Sequence, residues 1–182
     1  MRARTFVPLL LFAGVGLTAQ TPPTAPAQTP SLRDARLPPK VRSDIVAEIV
    51  EEEGEADGRE IALNSSVSFL KLSRRGSPAI AVDNDTSPQC GAHGNCPFYL
   101  FLNVNGRAVL IFQAVGYGPG VEPAIHHGMH DISSTDVFST AIPDAFVEVD
   151  RFDGKSYTPA YCYHQTIDEN GKDKESPHRP CR

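Results

Sequence analysis

The sequence predicts an α+β fold: an N-terminal helix packed on an antiparallel β-sheet of about six to eight strands. A small β-sandwich or barrel is the alternative. Three observations predict it. In "SDIVAEIVEEEG", residues 43–54, apolar side chains fall at Ile45, Val46, Ile49 and Val50, the spacing of one helix face. From Ile61 onward the pattern becomes short apolar runs separated by Gly, Pro, Asn and Asp, the punctuation of strands and turns. No strand–helix–strand spacing occurs, which argues against a parallel sheet.

The helix takes Ser43 as its expected N-cap, with Asp44 favourably placed in the first turn. Gly54 ends it. The run Glu51–Glu53 sits at the wrong end of the helix dipole and reads as a solvated, fraying terminus. "SVSFLKLS" (66–73) alternates as a strand does, and "PAIAVDND" (78–85) is a short strand stopped by turn residues. "PFYLFLNVNGRAVLIFQA" (97–114) is two β-rich runs joined through Asn105-Gly106, the preferred pair for a two-residue hairpin turn. "GYGPG" (116–120) reads as a mobile loop, with Tyr117 beside it as a recognition element. "AFVEVDRFDGKSYTPAYCY" (145–163) is a second hairpin, with Asp153-Gly154 at its turn. "DNDTS" (83–87) and "DENGKD" (168–173) lack the spacing of an EF-hand and read as ordinary turns.

The chain opens "MRARTFVPLLLFAGVGLTAQ": a basic start, an apolar run from Phe6 to Leu17, then small residues. That is the layout of a secretory signal peptide over residues 1–19, cleaved after Ala19. The run falls short of the roughly 20 apolar residues that span a bilayer. Residues 20–37, rich in proline, read as a disordered tether. Residues 38–165 then form a single α+β domain, and residues 166–182 a polar C-terminal tail. No second apolar run follows, so no stable membrane insertion is expected once the signal is removed. The expected location is periplasmic or extracellular.

Losing Arg2 and Arg4 with the leader takes the 17 Lys and Arg down by two against 22 Asp and Glu, a net charge of −7. An acidic chain without a basic stripe is a poor nucleic-acid binder, because phosphate contacts need Lys and Arg. Cys90, Cys96, Cys162 and Cys181 make an even set, which in an exported chain reads as disulfides. The preferred pairing is Cys90–Cys96 with Cys162–Cys181. Bridges from Cys90 or Cys96 to Cys162 are the alternative. The loop-entropy model gives about 2 kcal/mol for the small ring and about 3 kcal/mol for the larger one. With all four cysteines bridged, no thiol nucleophile remains.

"CGAHGNCPFYLF", then "GMHDI", then "FDGKSY" with the later Cys162, resembles a recurrent type of small, uncharacterised exported bacterial protein. Its marks are a cysteine loop leading into an apolar strand, a Gly-x-x-Asp-Ile turn and a Phe-Asp-Gly-x-x-Tyr hairpin. The last two pieces also resemble fragments of integrin-type propeller repeats. The general plan is similar to that of periplasmic lysozyme inhibitors. The resemblance covers residues 88–163. It implies that Gly128 supplies a turn and that Asp131 accepts backbone N–H bonds there. It transfers no catalytic residue.

"IHHGMHDI" (125–132) is the densest cluster of metal-binding side chains. On a helix His126 and His130 would share a face, but the zincin pattern needs Glu where His127 stands. In a continuous strand His126 and His130 share one face and Asp131 the other, so convergence needs a turn at Gly128. A structural turn is therefore the leading reading, with a metal site on His126, His130 and Asp131 the second. No Gly-x-Ser-x-Gly elbow occurs, and His164 and His178 lie toward the tail. The expected function is an exported, non-enzymatic binding protein, an inhibitor or cell-envelope accessory factor. Its expected contacts with a protein or envelope component are Tyr117, His126, His127 and His130. The alternatives are a metal-binding protein and an exported hydrolase with a carboxylate pair. No cofactor is implied.

Overall fold

The computed structural model describes residues 29–85, 87–91, 93–139, 144–168 and 170–181. The expected signal peptide and the first part of the expected tether lie outside the described residues. Two helices come first, α1 (Pro39–Glu53) and α2 (Glu55–Asn64). Eight strands follow: β1 (Ser66–Leu70), β2 (Ala79–Asp83), β3 (Cys96–Val104), β4 (Arg107–His126), β5 (Met129–Ser139), β6 (Asp144–Phe152), β7 (Tyr157–Ile167) and β8 (Asp173–Glu175). Every neighbouring pair is antiparallel, and the spatial order is the chain order.

The helical region differs from the expectation in four ways. There are two helices, not one. The first starts four residues before Ser43, with Pro39 at its first position, where a missing N–H costs nothing. Asp44 is therefore inside the helix, and its carboxylate serves the sheet instead. It accepts from Arg107 Nε at 2.7 Å and from the Ala108 N–H at 3.2 Å, with Lys40 Nζ at 2.8 Å. Arg107, and next Lys40, hold this carboxyl well below the usual range. At the other end, Gly54 (φ 91°) closes α1 as expected. Glu53 does not fray: it accepts bonds from Asn84, Ser87 and Gln89, which tie the loop before Cys90 to the helix.

Ordered packing begins upstream of the tether's expected end. Leu32 is fully buried, and its N–H donates to Ser65 O. One apolar cluster joins Leu32, Val41, Ile45 and Ile49 to Val67, Ile80, Val82, Tyr99 and Phe101. A second cluster joins Phe98, Leu100 and Phe112 to Met129, Ile132, Phe152 and Tyr157. The β3 residues of the two clusters alternate along the strand, so β3 is buried on both faces. That explains its near-continuous apolar run.

The Asn105-Gly106 hairpin forms as expected, with Val104 facing Arg107 and both turn residues at positive φ (53° and 81°). The second hairpin is looser: Phe152 faces Tyr157, leaving a four-residue turn. There Asp153 Oδ1 accepts the N–H groups of Lys155 and Ser156. Both preferred disulfides are present, Cys90–Cys96 and Cys162–Cys181. The second holds the tail alongside β7, where Cys162 and Arg179 exchange backbone bonds.

"GYGPG" is not a loop. It lies inside the 20-residue β4, which pairs with β3 up to Gly116 and with β5 from Tyr117. Here a Cβ on Gly116 would sit 2.6 Å from Thr135 O, and one on Gly120 would sit 2.4 Å from Ser133 Oγ. Gly116 also has φ +147°, which side chains rarely adopt. No described helix is long and apolar enough to cross a membrane.

Gly116→Ala is expected to destabilise the protein by about 3 kcal/mol in urea unfolding, since backbone must move to admit the methyl group. Gly106→Ala, where φ is positive but the space is open, is expected to cost about 1 kcal/mol. Equal costs would count against close approach at Gly116 as a packing constraint.

Candidate functional site

The histidine segment is a β-hairpin. His126 faces Met129, and Ile125 faces His130, around a two-residue turn of His127 (φ 48°) and Gly128 (φ 83°). These positive φ values match the turn that Asn-Gly makes between β3 and β4. Because cross-strand partners share a face, His126 and His130 point to opposite sides of the ribbon.

The side chains confirm the parity. His126 Nδ1 lies 2.7 Å from Asp131 Oδ1 and donates to it, while Arg151 Nε stands 3.9 Å from the other carboxylate oxygen. Asp131 is only 2 % exposed, so this contact offsets the cost of burying its charge. His130 Nδ1 donates instead to Glu122 O at 2.7 Å, and the His130 carbonyl accepts from the Tyr157 hydroxyl at 2.7 Å. The Asp131 carboxylate thus bonds a side chain, not the turn backbone that the resemblance implied.

The expected metal set of His126, His130 and Asp131 does not converge: two of its members meet and the third faces away. Among the described residues, one trio of His, Cys, Asp or Glu brings its ligand atoms within 4.8 Å of one another. It is Glu148, Cys162 and Cys181, and its cysteines are joined to each other. Tyr117 is half exposed, but its hydroxyl donates to His93 O at 2.6 Å and so holds the cysteine loop. His127 is exposed at the turn, with Gly154 of the β6–β7 turn beside it.

Two open clefts flank this hairpin. The first, of about 400 Å³, lies between the β1–β2 connection and the turn, and Arg75, Ser77, Asn103 and His127 are among its polar lining. The second, of about 530 Å³, is lined by Arg74, Arg75, Ile125 and Gly128. Neither arginine was singled out from the sequence. The signal was there: "SRRGSP" (73–78) is an adjacent arginine pair in a turn of an otherwise acidic chain. Two further clefts, one lined by α1 and α2 and one at the tail disulfide, also lack Asp and Glu in their linings. The carboxylate pair that an exported hydrolase would need lines none of these four.

One buried acid stands outside the hairpin. Asp150 on β6 is 1 % exposed, and its Oδ2 has no partner among the described residues. Burial, with Glu148 adding repulsion, pushes its pKa up to about 7. Asp83 is raised in the same way, by burial and then Asp85, to about 6.

No family model, no curated protein and no solved structure matches this chain.

His126→Ala would leave the buried Asp131 carboxylate with only the distant Arg151, and is expected to cost about 2 kcal/mol in urea unfolding at neutral pH. His130→Ala, which frees only a backbone carbonyl, is expected to cost about 1 kcal/mol. The folded protein binds the Asp150 proton more tightly than the unfolded chain does. The Asp150 contribution is therefore most favourable below about pH 4 and declines as the pH rises toward 7, at no more than about 1.4 kcal/mol per unit. Asp150→Asn is expected to raise stability at pH 8 by about 2 kcal/mol and to change it little at pH 4. Equal effects at both pH values would contradict this assignment.

Proposed function

We propose that the protein is an exported, non-enzymatic binding protein, an inhibitor or accessory factor of the cell envelope. It engages a protein or envelope component through the tip of the β4–β5 hairpin. The observation that carries this reading is the division of labour at that tip. His126 and His130 each spend a ring nitrogen on an internal bond. Ile125, His127 and, further along β4, Val121 stand exposed. The clefts beside them are shallow and open, which suits a surface contact more than the enclosed pocket of a small substrate. Two disulfides support the export half of the reading, because such bridges persist in oxidising compartments. Within this reading His127 is a contact residue, His126 and His130 fix the hairpin, and Tyr117 anchors the neighbouring loop.

The test mixes the disulfide-bonded protein with envelope extract and with a panel of cell-wall hydrolases. Capture or inhibition is expected from the native protein. Ile125→Asp and His127→Ala are each expected to weaken it by about tenfold or more while unfolding stability is retained. Absence of any captured component or inhibition, or undiminished activity in both variants, counts against the reading.

A further inference from the structure

We propose that the cleft between the β1–β2 connection and the histidine turn is a binding site for a phosphate group. The inference rests on the reading of this face as a binding surface and names the chemistry it recognises. Four residues that carry hydrogen-bond donors line the cleft from three parts of the chain: Arg75 and Ser77, Asn103, and His127. Arg74 adds a second guanidinium in the adjoining hollow.

These donors are unspent. Among the described residues, Arg74 and Arg75 form no ion pair. Asn103 uses its carbonyl oxygen to accept from the Gly106 N–H, which leaves its amino group free. The Ser73 hydroxyl is not part of the set, because it donates to Arg75 O at 3.0 Å. That bond, and the Gly76 turn that follows, shape the connection carrying both arginines. The opposite wall is the rigid two-residue turn, in which His127 is locked at positive φ. On that side the Asp153 carboxyl is held low by the Ser156 and Lys155 N–H groups, both on Oδ1, and to a lesser extent by His127.

The neighbouring surface makes this arrangement specific. With 22 acidic side chains against 17 basic ones, an arginine pair would be expected to meet a carboxylate of its own chain. Instead, no Asp or Glu lines either hollow. The lining thus offers an incoming anion positive charge and hydrogen-bond donors, with the Asp153 carboxylate near His127 set against it from outside the lining. A carboxylate is planar and is satisfied by one arginine fork. Donors drawn from three separate parts of the chain suit a tetrahedral group with three or more accepting oxygens.

The test titrates the disulfide-bonded protein with inorganic phosphate, with glycerol 3-phosphate and with acetate, by calorimetry in a phosphate-free buffer at low salt. Saturable phosphate binding is expected. Arg75→Gln is expected to weaken it by about tenfold or more, and Ser77→Ala by a smaller factor. Arg36→Gln, an exposed arginine remote from the cleft in sequence, is expected to leave it unchanged. Tighter binding of glycerol 3-phosphate than of inorganic phosphate identifies the source as a phosphate ester, and the reverse identifies free phosphate. No saturable binding, equal binding of acetate, or equal loss in Arg36→Gln and Arg75→Gln overturns the proposal. Such a failure is distinguishable from failure of the hairpin reading, which is judged by capture or inhibition of envelope components and not by phosphate titration.

Discussion

The structure depends on one constraint: β4 must serve two sets of partners, and where it passes from one to the other the backbone of β5 comes hard against Gly116. Its first half pairs with β3 and its second half with β5. Between them the backbone of β5 comes so close that a Cβ on Gly116 would collide with Thr135 O. Closing this distance has consequences on both sides. It brings Ile132, Phe152 and Tyr157 against Phe98, Leu100 and Phe112, so that one apolar cluster is assembled from strands far apart in sequence. It also carries the far end of β4 back toward the β1–β2 connection. There the His130 N–H donates to Leu72 O, and Ser73 bridges to Met129.

The parts legible in the sequence are those whose cause is local. Asn105-Gly106 dictates its own turn. The four cysteines pair by proximity in the chain, and the stop at Gly54 needs only the missing Cβ. The parts that were not legible have distant causes. "GYGPG" has the composition of a loop, and nothing nearby reveals that its glycines exist to admit the backbone of β5. Glu53 looks like the frayed end of an acidic run until Asn84, Ser87 and Gln89 return to it from some 30 residues on. Gly58 weakens the pattern of α2 as a helix signal. In the fold, a Cβ there would lie 3.1 Å from Val50 Cα, so its smallness serves the α1–α2 contact.

The candidate site shows the same division. The sequence indicated a turn at Gly128 but not that His127 joins it at positive φ, a conformation that only a few per cent of non-glycine residues adopt. That one-residue difference decides the chemistry. With His127 and Gly128 both in the turn, His126 pairs across with Met129, and its ring falls on the same side as Asp131. His130 then falls on the other side. A histidine-rich hairpin therefore spends two of its three rings on its own architecture and presents the third.

The same accounting explains why an acidic protein can hold a cationic cleft. The net charge acts over the whole surface, but at physiological ionic strength its influence fades beyond about 8 Å. Inside that radius the nearby groups decide the potential, and here the lining contains arginine, amide, hydroxyl and imidazole, with Asp153 near the imidazole but outside the lining. Carboxylates elsewhere have been drawn inward as ties: Asp44 to Arg107, Glu53 to the loop before Cys90, Asp131 to His126. Each removes an acid from the pool that could neutralise Arg74 and Arg75. The global charge then weakens long-range attraction of anions without occupying the site, so selectivity there rests on the geometry of the donors and not on electrostatic steering.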